Sequence, residues 1–271
     1  METILLGLKN LEHRGYDSMG MALGFSGKKV EVFKISEDEK PGFSVADLRQ
    51  KVGKKVAKCS IGIGHTRWAT FGGKTTKNAH PHHDVSKDIF VVHNGNVENF
   101  DELKKGFPKT KFYSETDTEL IANLIAREME KSKTLKEAVE KTIKKLEGAN
   151  VILVMRKNNL KELVTANKGG TLILGKDQSR ILISSDPFAL DYFGASSRVA
   201  LESGEIAVIK KDGWKIEKME KKNGAETEID ENILGKFQHF MEKEIFEQPK
   251  VIVNAMAGRI SLEEGTTHLG G

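Results

Sequence analysis

The order of helical and strand-like patterns constrains the fold of this chain more than any other feature. One pair of amphipathic helices, beginning near Thr116 and Thr134, is preceded and followed by short stretches rich in strand-forming residues. Repeated βαβ units would instead alternate strand and helix along the whole chain. The sequence therefore predicts an α+β fold in which sheets and helices form separate layers.

Each helix of the pair begins with the residues of a capping box, in which a threonine and a glutamate three residues later satisfy free backbone N–H groups. The boxes are Thr116-Asp117-Thr118-Glu119 and Thr134-Leu135-Lys136-Glu137. Further helices are predicted over 2–13 and 44–52. Strands are predicted over 18–25, 29–35, 60–65, 89–93, 151–155, 163–166, 172–174, 181–184 and 205–209.

Charge and composition exclude several classes of function. The 43 basic and 39 acidic side chains are interspersed, so the chain lacks the basic stripe that nucleic-acid binding requires. No apolar run approaches the ~18 residues of a membrane span. Cys59 is the one cysteine, which excludes an internal disulfide framework and favours a reducing, cytoplasmic location. We therefore expect neither a nucleic-acid nor a membrane partner.

Three polar positions lie at the ends of predicted elements, and each has two interpretations. Arg67 follows a strand and can hold a carboxylate bidentately or form an ordinary ion pair. Asn94-Gly95 follows another strand and can form an oxyanion hole, although Asn-Gly alone is more typical of a hairpin turn. Asp117 opens a helix, where a carboxylate stabilises the helix N-terminus or binds an ammonium group.

Histidines are concentrated in one region, since five of the eight fall between His65 and His93. The segment His80-Pro81-His82-His83-Asp84 suggests a metal site, but Pro81 prevents the helix that would align the ligands and no cysteine lies nearby. We expect no metal and no other cofactor. The segment is interpreted as a loop that folds over a polar substrate.

Six short blocks, taken in order, carry a specific resemblance. The blocks are Leu11-Glu12-His13-Arg14-Gly15-Tyr16-Asp17-Ser18, Gly64-His65-Thr66-Arg67-Trp68-Ala69-Thr70, Asn78-Ala79-His80-Pro81-His82, Val92-His93-Asn94-Gly95, Ser114-Glu115-Thr116-Asp117-Thr118-Glu119 and the linker-like stretch 239–249. In order and approximate spacing they resemble the N-terminal glutaminase domain of the glutamine–fructose-6-phosphate aminotransferase (isomerising) family. The resemblance covers essentially the whole chain.

The resemblance implies a four-layer αββα sandwich of the N-terminal-nucleophile hydrolase type. It also implies class II glutamine amidotransferase chemistry, in which a terminal cysteine attacks the side-chain amide of glutamine and its own α-amine is the general base. Ammonia would pass to fructose 6-phosphate, bound by the sugar-isomerase domains of a homodimeric enzyme. The products would be glucosamine 6-phosphate and glutamate.

Residue by residue, the resemblance implies a glutamine site in this chain. Arg67 would hold the α-carboxylate and Asp117 the α-ammonium group. Asn94 and Gly95 would form the oxyanion hole. The other implied positions are the substrate pocket at Thr70, the channel entrance at Trp68, the closing loop at His80, and the surroundings of the nucleophile at Arg14 and Gly15.

The sequence departs from the family pattern in two places. Phe71 stands where the family usually has a histidine. The family also begins with the strand Cys-Gly-Ile-Val-Gly before the helix that starts here at Glu2, and this first strand is missing. Cys59 is internal, has no free α-amine beside it, and has neighbours that suggest a strand thiol. We therefore expect the 271-residue chain itself to be inactive.

The same resemblance suggests domain limits: a glutaminase domain over 1–233, a linker over 234–249, and the start of a truncated sugar-isomerase domain over 250–271. One alternative is a non-catalytic module of the same fold that binds glutamine or a partner. Another is the glutaminase of an amidophosphoribosyltransferase, which Tyr16-Asp17-Ser18 and the stretch 243–249 disfavour. The retained Arg67, Asn94, Gly95 and Asp117 favour the aminotransferase enzyme.

Overall fold

The computed structural model describes residues 1–12, 15–53, 59–69, 72–219, 245–246, 248–249, 260–261 and 266–267. Arg14, Thr70 and Phe71 lie outside the described residues, as does the predicted boundary at 233. The chain divides into two units, Met1–Lys221 and Lys222–Gly271. In the second unit, the short strands Ile260–Ser261 and Thr266–Thr267 pair antiparallel. The predicted domain limits stay a prediction.

The first unit alternates helices and strands in an order close to the predicted one. Its helices are α1 (Glu2–Asn10), α2 (Val45–Val52), α3 (Phe100–Lys104), α4 (Asp117–Met129), α5 (Leu135–Ile143) and α6 (Pro187–Tyr192). Its strands are β1 (Ser18–Phe25), β2 (Lys29–Ser36), β3 (Ile61–Arg67), β4 (His82–His83), β5 (Ile89–Gly95), β6 (Asn150–Arg156), β7 (Asn159–Lys168), β8 (Ile173–Lys176), β9 (Ile181–Ser184), β10 (Ser197–Ala200), β11 (Glu205–Lys210) and β12 (Gly213–Lys218).

The strands of the first unit form three antiparallel sheets. The largest has six strands in the order β12-β11-β7-β6-β5-β4. Two three-stranded sheets have the orders β2-β1-β3 and β10-β8-β9. Within the described part of the chain, β3 therefore pairs with a strand on one side only, and so does β9. No helix among the described residues is both long enough and apolar enough to cross a membrane.

Three apolar clusters separate four layers, because successive residues of a strand point to opposite faces of its sheet. In β1, Met21 packs against α1 and α2, whereas Ala22 packs between the sheets. In β5, Val91 packs against α4 and α5, whereas Phe90 and Val92 face the other sheet. The layers follow the order helix, sheet, sheet, helix, which confirms the predicted αββα sandwich.

Most predicted elements are confirmed, but α3, α6, β4, β10 and β12 were not predicted, and β4 lies in the histidine-rich segment that was predicted to be a loop. In β12, Trp214 and Ile216 alternate with charged residues, which is the pattern of a half-exposed edge strand. That pattern could have indicated the strand, but its high charge obscured it. Cys59, expected within a strand, lies two residues before β3 instead.

The capping box predicted at Thr116 is wrong, although α4 does begin at Asp117. The Thr116 hydroxyl lies 3.0 Å from Nε2 of His82, and the Glu119 carboxylate accepts the backbone N–H groups of Tyr113 and Ser114. Thr116 therefore contacts β4 and Glu119 holds the preceding loop, so neither side chain caps the helix end. At the second helix, Thr134 does accept the N–H of Glu137, at 3.2 Å.

Candidate active site

A cavity of about 1230 Å³ opens along the unpaired edge of β3. It is lined along its length by residues 60–66 of β3 and its approach, and by residues 179–185 around β9. The unpaired edges of two different sheets therefore face one open space. His65, His93, Asn94 and Gly95 form a polar region in its wall.

Asn94 and Gly95 are the last two residues of β5 and lie in the strand ladder, opposite Val151 and Asn150 of β6. The hairpin-turn interpretation of this Asn-Gly pair is therefore wrong. Gly95 has a φ of +136°, and a Cβ added to it would lie 2.0 Å from the carbonyl oxygen of Ala149. Only glycine fits this position, and the exposed Asn94 side chain lines the cavity.

Arg67 is the last residue of β3 and is only 4% exposed. Its guanidinium donates to the carbonyl oxygens of Gly73 at 3.0 Å and Gly72 at 3.5 Å. Burial lowers the pKa of Arg67, and the negative charges of Asp17 and Asp117 oppose that effect. An exposed surface ion pair is excluded, because the positive charge is held inside the protein near two carboxylates.

Asp117 is the first residue of α4 and is buried. Its Oδ2 accepts the N–H of Val97 at 3.0 Å, and its Oδ1 lies 3.8 Å from Nδ1 of His93. Burial alone would raise the pKa of Asp117, but hydrogen bonds with His93, Val97 and Thr118 bring it below its usual value. Asp117 therefore remains an anion at neutral pH, able to face a cationic group.

Glu115 fastens the loop that follows Arg67, and sequence reasoning gave it no role. Its carboxylate accepts from Lys77 at 2.6 Å, from Nδ2 of Asn78 at 2.9 Å and from the N–H of Gly73 at 3.2 Å. Lys77, followed by the other donors, lowers the pKa of Glu115 to about 2. Asn78 reciprocates by accepting the N–H of Glu115. The Gly73 carbonyl that meets Arg67 is thereby held in place.

The remaining residues that the resemblance implies, beginning with Gly15, differ in their surroundings and in their exposure. Gly15 packs against β3, where a Cβ would come within 2.6 Å of the Thr66 backbone. Trp68 is 59% exposed and its ring lies 5.5 Å from that of Tyr16. His80 is buried, with Nε2 3.1 Å from Oγ1 of Thr118. Thr70 and Arg14 lie outside the described residues.

The histidines between β3 and α4 pack together, and sequence reasoning assigned a role only to His80. The ring centroids of His65 and His80 lie 4.3 Å apart, and those of His80 and His82 lie 4.9 Å apart. Burial lowers the pKa of His65 to about 4 and those of His80 and His82 well below the usual value. These rings are neutral at pH 7. The described residues contain no cluster arranged to hold a metal ion.

A hydrogen-bond chain fixes the orientation of one of these rings. Nδ2 of Asn150 donates to the carbonyl oxygens of Glu147 and Gly148, so its Oδ1 is the acceptor for Nε2 of His93 at 2.9 Å. Nε2 of His93 is therefore the donor in this hydrogen bond. Nδ1 of His93 lies 3.2 Å from the Thr118 hydroxyl, on the side of the ring that faces Asp117. The sequence offered no signal for this chain, which joins residues far apart in the sequence.

Because these histidines are neutral in the folded protein, we expect the free energy of unfolding to decrease as the pH is lowered. Their folded-state pKa values lie below the usual ~6.5, so the unfolded chain binds protons that the folded chain does not. Their contribution is fully present above about pH 6.5 and is lost as pH falls toward the lowered pKa, which is about 4 for His65. Urea unfolding at a series of pH values should show this slope, and His82→Gln should reduce it. His83→Gln, at a half-buried ring, should reduce it less; equal slopes in all three proteins would contradict the prediction.

The chain is similar in sequence to known glutamine-using enzymes. A sequence model described as a glutamine amidotransferase domain matches residues 65–191. The glutamine–fructose-6-phosphate aminotransferase of Chlorobaculum tepidum is 37% identical over 99% of this chain and 44% of its own length. That of Aquifex aeolicus is 40% identical over 96% of this chain and 44% of its own length. Residues 65–191 thus match a glutamine amidotransferase domain. The chain matches the N-terminal glutaminase domain of these aminotransferases, which confirms the resemblance seen in the six sequence blocks.

Solved structures place this glutamine amidotransferase domain in the same fold. The glutamine phosphoribosylpyrophosphate amidotransferase of B. subtilis, complexed with ADP and GMP, superposes with a TM-score of 0.67 at 26% identity. The match covers 82% of this chain and 47% of that one. The N-terminal-nucleophile type of fold is thus confirmed. A class II glutamine aminotransferase domain protein from Silicibacter pomeroyi, at 12% identity and a TM-score of 0.53, shares the fold.

The chain spans less than half the length of the curated relatives it matches. Its identity of 37–40% to the aminotransferases exceeds its 26% identity to the phosphoribosylpyrophosphate enzyme. That difference agrees with the Tyr16-Asp17-Ser18 signature and favours the aminotransferase assignment over the amidophosphoribosyltransferase alternative.

Proposed function

We propose that this domain hydrolyses glutamine and supplies ammonia for transfer to fructose 6-phosphate, giving glucosamine 6-phosphate and glutamate in the whole enzyme. The observation that carries this proposal is the position of Asn94-Gly95, which ends β5 in the wall of a cavity bounded by two unpaired strand edges. An amide donor and a glycine backbone at such a position suit an oxyanion next to an incoming nucleophile.

The charges around β3 and α4 support glutamine as the substrate. The buried guanidinium of Arg67 would bind the α-carboxylate through two parallel N–H donors. The ionised carboxylate of Asp117 would bind the α-ammonium group. Arg67 and Asp117 are close enough to influence each other electrostatically. Together they would hold the charged end of glutamine and leave its side-chain amide to reach Asn94 and Gly95.

The nucleophile in this proposal is a terminal cysteine on a strand in the cavity. A strand lying between β3 and β9 could donate and accept backbone hydrogen bonds at both edges, which pair with no strand among the residues that the structure describes. We therefore define a strand-bearing protein, in which Cys-Gly-Ile-Val-Gly precedes Glu2 and no methionine precedes the cysteine. Its cysteine would have a free α-amine, as this chemistry requires.

The proposed reaction proceeds through a covalent intermediate. The thiolate adds to the amide carbon of glutamine, and the carbonyl oxygen becomes an oxyanion held by the Asn94 side-chain amide and the Gly95 N–H. The α-amine, having accepted the thiol proton, returns it to the departing nitrogen as the C–N bond breaks and ammonia leaves. Water then cleaves the γ-glutamyl thioester, which releases glutamate and restores the thiol.

Arg67→Lys should weaken glutamine binding by the 271-residue chain. Lysine keeps the charge but loses the two-pronged donor. One charge-assisted hydrogen bond contributes about 1.5–3 kcal/mol, so affinity should fall about 10-fold or more. Titration calorimetry with glutamine measures the loss. Arg49→Lys is the matched control, because Arg49 is exposed on α2 and pairs with Glu2, and it should bind as the parent does.

Glutamine binding and glutamine hydrolysis, measured together, distinguish the proposed enzyme from the alternative non-catalytic module. Equal glutamine affinity in the parent and Arg67→Lys would refute the proposed clamp. Glutamine binding that depends on Arg67, without hydrolysis by the strand-bearing protein, would instead favour a non-catalytic glutamine-binding module.

A further inference from the structure

His65 stands beside the proposed oxyanion hole without an assigned role. It lies near the end of β3, opposite Gly20 of β1, and its other side faces the cavity. Its Nε2 lies 2.9 Å from Oδ1 of Asn94 on β5, which belongs to the facing sheet. The backbone of His93 also hydrogen-bonds the His65 ring. The ring therefore touches the side chain that the proposed chemistry uses.

The position of the proton on His65 follows from its surroundings. Burial lowers the pKa of His65 to about 4, so at pH 7 the ring is neutral and carries a single N–H. Nδ1 is buried and has no hydrogen-bond partner within the described residues. A donor placed there would be unsatisfied, which costs free energy. The proton therefore belongs on Nε2, where the Asn94 oxygen can accept it.

This donor decides which way the Asn94 amide faces. An amide can rotate to exchange its oxygen and nitrogen, and only the nitrogen can stabilise an oxyanion. With Oδ1 held by His65, the Nδ2 hydrogens lie on the other side of the amide. The same device occurs once more in this fold, where Nε2 of His93 holds Oδ1 of Asn150 and Nδ2 of Asn150 donates to two carbonyls.

We infer that His65 is a positioning residue for the oxyanion hole, whose Nε2–H holds the Asn94 amide with its nitrogen available to the reacting carbonyl. This inference rests on the proposed glutaminase function. His65 does not touch the substrate in this role, so its effect should appear in kcat and not in the KM for glutamine. The His80 ring is tilted against the His65 ring, with 4.3 Å between their centroids, and its own Nε2 lies 3.1 Å from the Thr118 hydroxyl, so it supports the His65 ring from the side.

The test compares two replacements in the strand-bearing protein. Losing one oxyanion donor costs roughly 10²- to 10³-fold in kcat, and a misoriented donor should cost part of that. We expect His65→Leu to lower kcat roughly 10- to 100-fold, with KM for glutamine little changed. In His65→Gln the side-chain amide can supply an N–H in place of Nε2–H, so most of the activity should remain.

Repeating the His65→Leu substitution in a protein that already carries Asn94→Ala distinguishes positioning of Asn94 from general structural support. In Asn94→Ala there is no amide to orient, so adding His65→Leu should change kcat little, because the two residues act through one interaction. Equal losses from His65→Leu with and without Asn94 would overturn the inference, as would parental kcat in His65→Leu. Absence of hydrolysis in the parent strand-bearing protein would overturn the proposed function, and this inference with it.

Discussion

Replacing Gly95 with alanine is expected to destabilise the domain by ~3 kcal/mol or more. The new Cβ would lie 2.0 Å from the Ala149 carbonyl oxygen, far inside van der Waals contact, and φ of +136° is a region that L side chains rarely adopt. The obstructing atom belongs to the backbone of the residue just before β6, so no side chain can rotate away. For a domain of this size the melting temperature should fall by roughly 6–12 °C.

Two matched variants separate the steric conflict from backbone strain. Gly194 also has a positive φ, of +63°, but open space where its Cβ would lie. Gly213 has open space too, and its φ lies outside the positive range. Gly194→Ala should therefore cost ~1 kcal/mol, and Gly213→Ala less. If Gly95→Ala melted within a few degrees of Gly194→Ala, the close approach to Ala149 could not be the reason for the glycine.

Sequence patterns were sufficient to place the candidate residues at element ends. Arg67 does end a strand and Asp117 does begin a helix, because strand alternation and helical periodicity are local properties that neighbouring residues determine. Asn94-Gly95 shows the limit of local reasoning. The dipeptide favours a turn in isolation, but pairing with Val151 and Asn150 keeps it in the strand.

Contacts between the site residues could not be derived from spacing alone. His65 and Asn94 are 29 residues apart, and Glu115 and Asn78 are 37 apart. These pairs meet because β3 and β5 belong to facing sheets and because α4 packs across β5, which are consequences of the global topology. Family blocks located the segments, yet they gave Glu115, His65 and His93 no roles. Those roles follow only from the hydrogen bonds in the folded chain.

The 271-residue chain is expected to hydrolyse glutamine no faster than background, and the strand-bearing protein to hydrolyse it at an enzymatic rate. An oxyanion hole without a nucleophile retains a rate only roughly 10³- to 10⁴-fold above water, which is undetectable for a carboxamide. Enzymes reach 10⁶-fold or more. Glutamate release from glutamine therefore should differ between the two proteins by at least ~10²-fold.

Cys59 is the one thiol in the sequence, and therefore the one alternative thiol nucleophile that the sequence contains. It lies in the cavity wall, and the Met1 amino group donates to its Sγ at 3.4 Å, so a thiol and a terminal amine do meet there. His65 follows Cys59 by six positions, and the chain from Ile61 onward is the extended strand β3, so the two residues are roughly 20 Å apart at ~3.3 Å per residue. A nucleophile must come within about 3–3.5 Å of the amide carbon. Cys59 is therefore too far from Asn94 to attack a carbonyl bound there.

A strand that lacks the thiol separates packing from chemistry. With Ala-Gly-Ile-Val-Gly before Glu2, the cavity should be filled and both free edges paired, so the melting temperature should rise as much as with the cysteine strand. Glutamine hydrolysis should stay at background, because no thiol reaches the oxyanion hole. Cys59→Ser should leave the 271-residue chain unchanged and the strand-bearing protein fully active. Activity in the 271-residue chain that disappeared with Cys59→Ser would place the nucleophile at the Met1–Cys59 pair and refute the proposed role of Asn94 and Gly95.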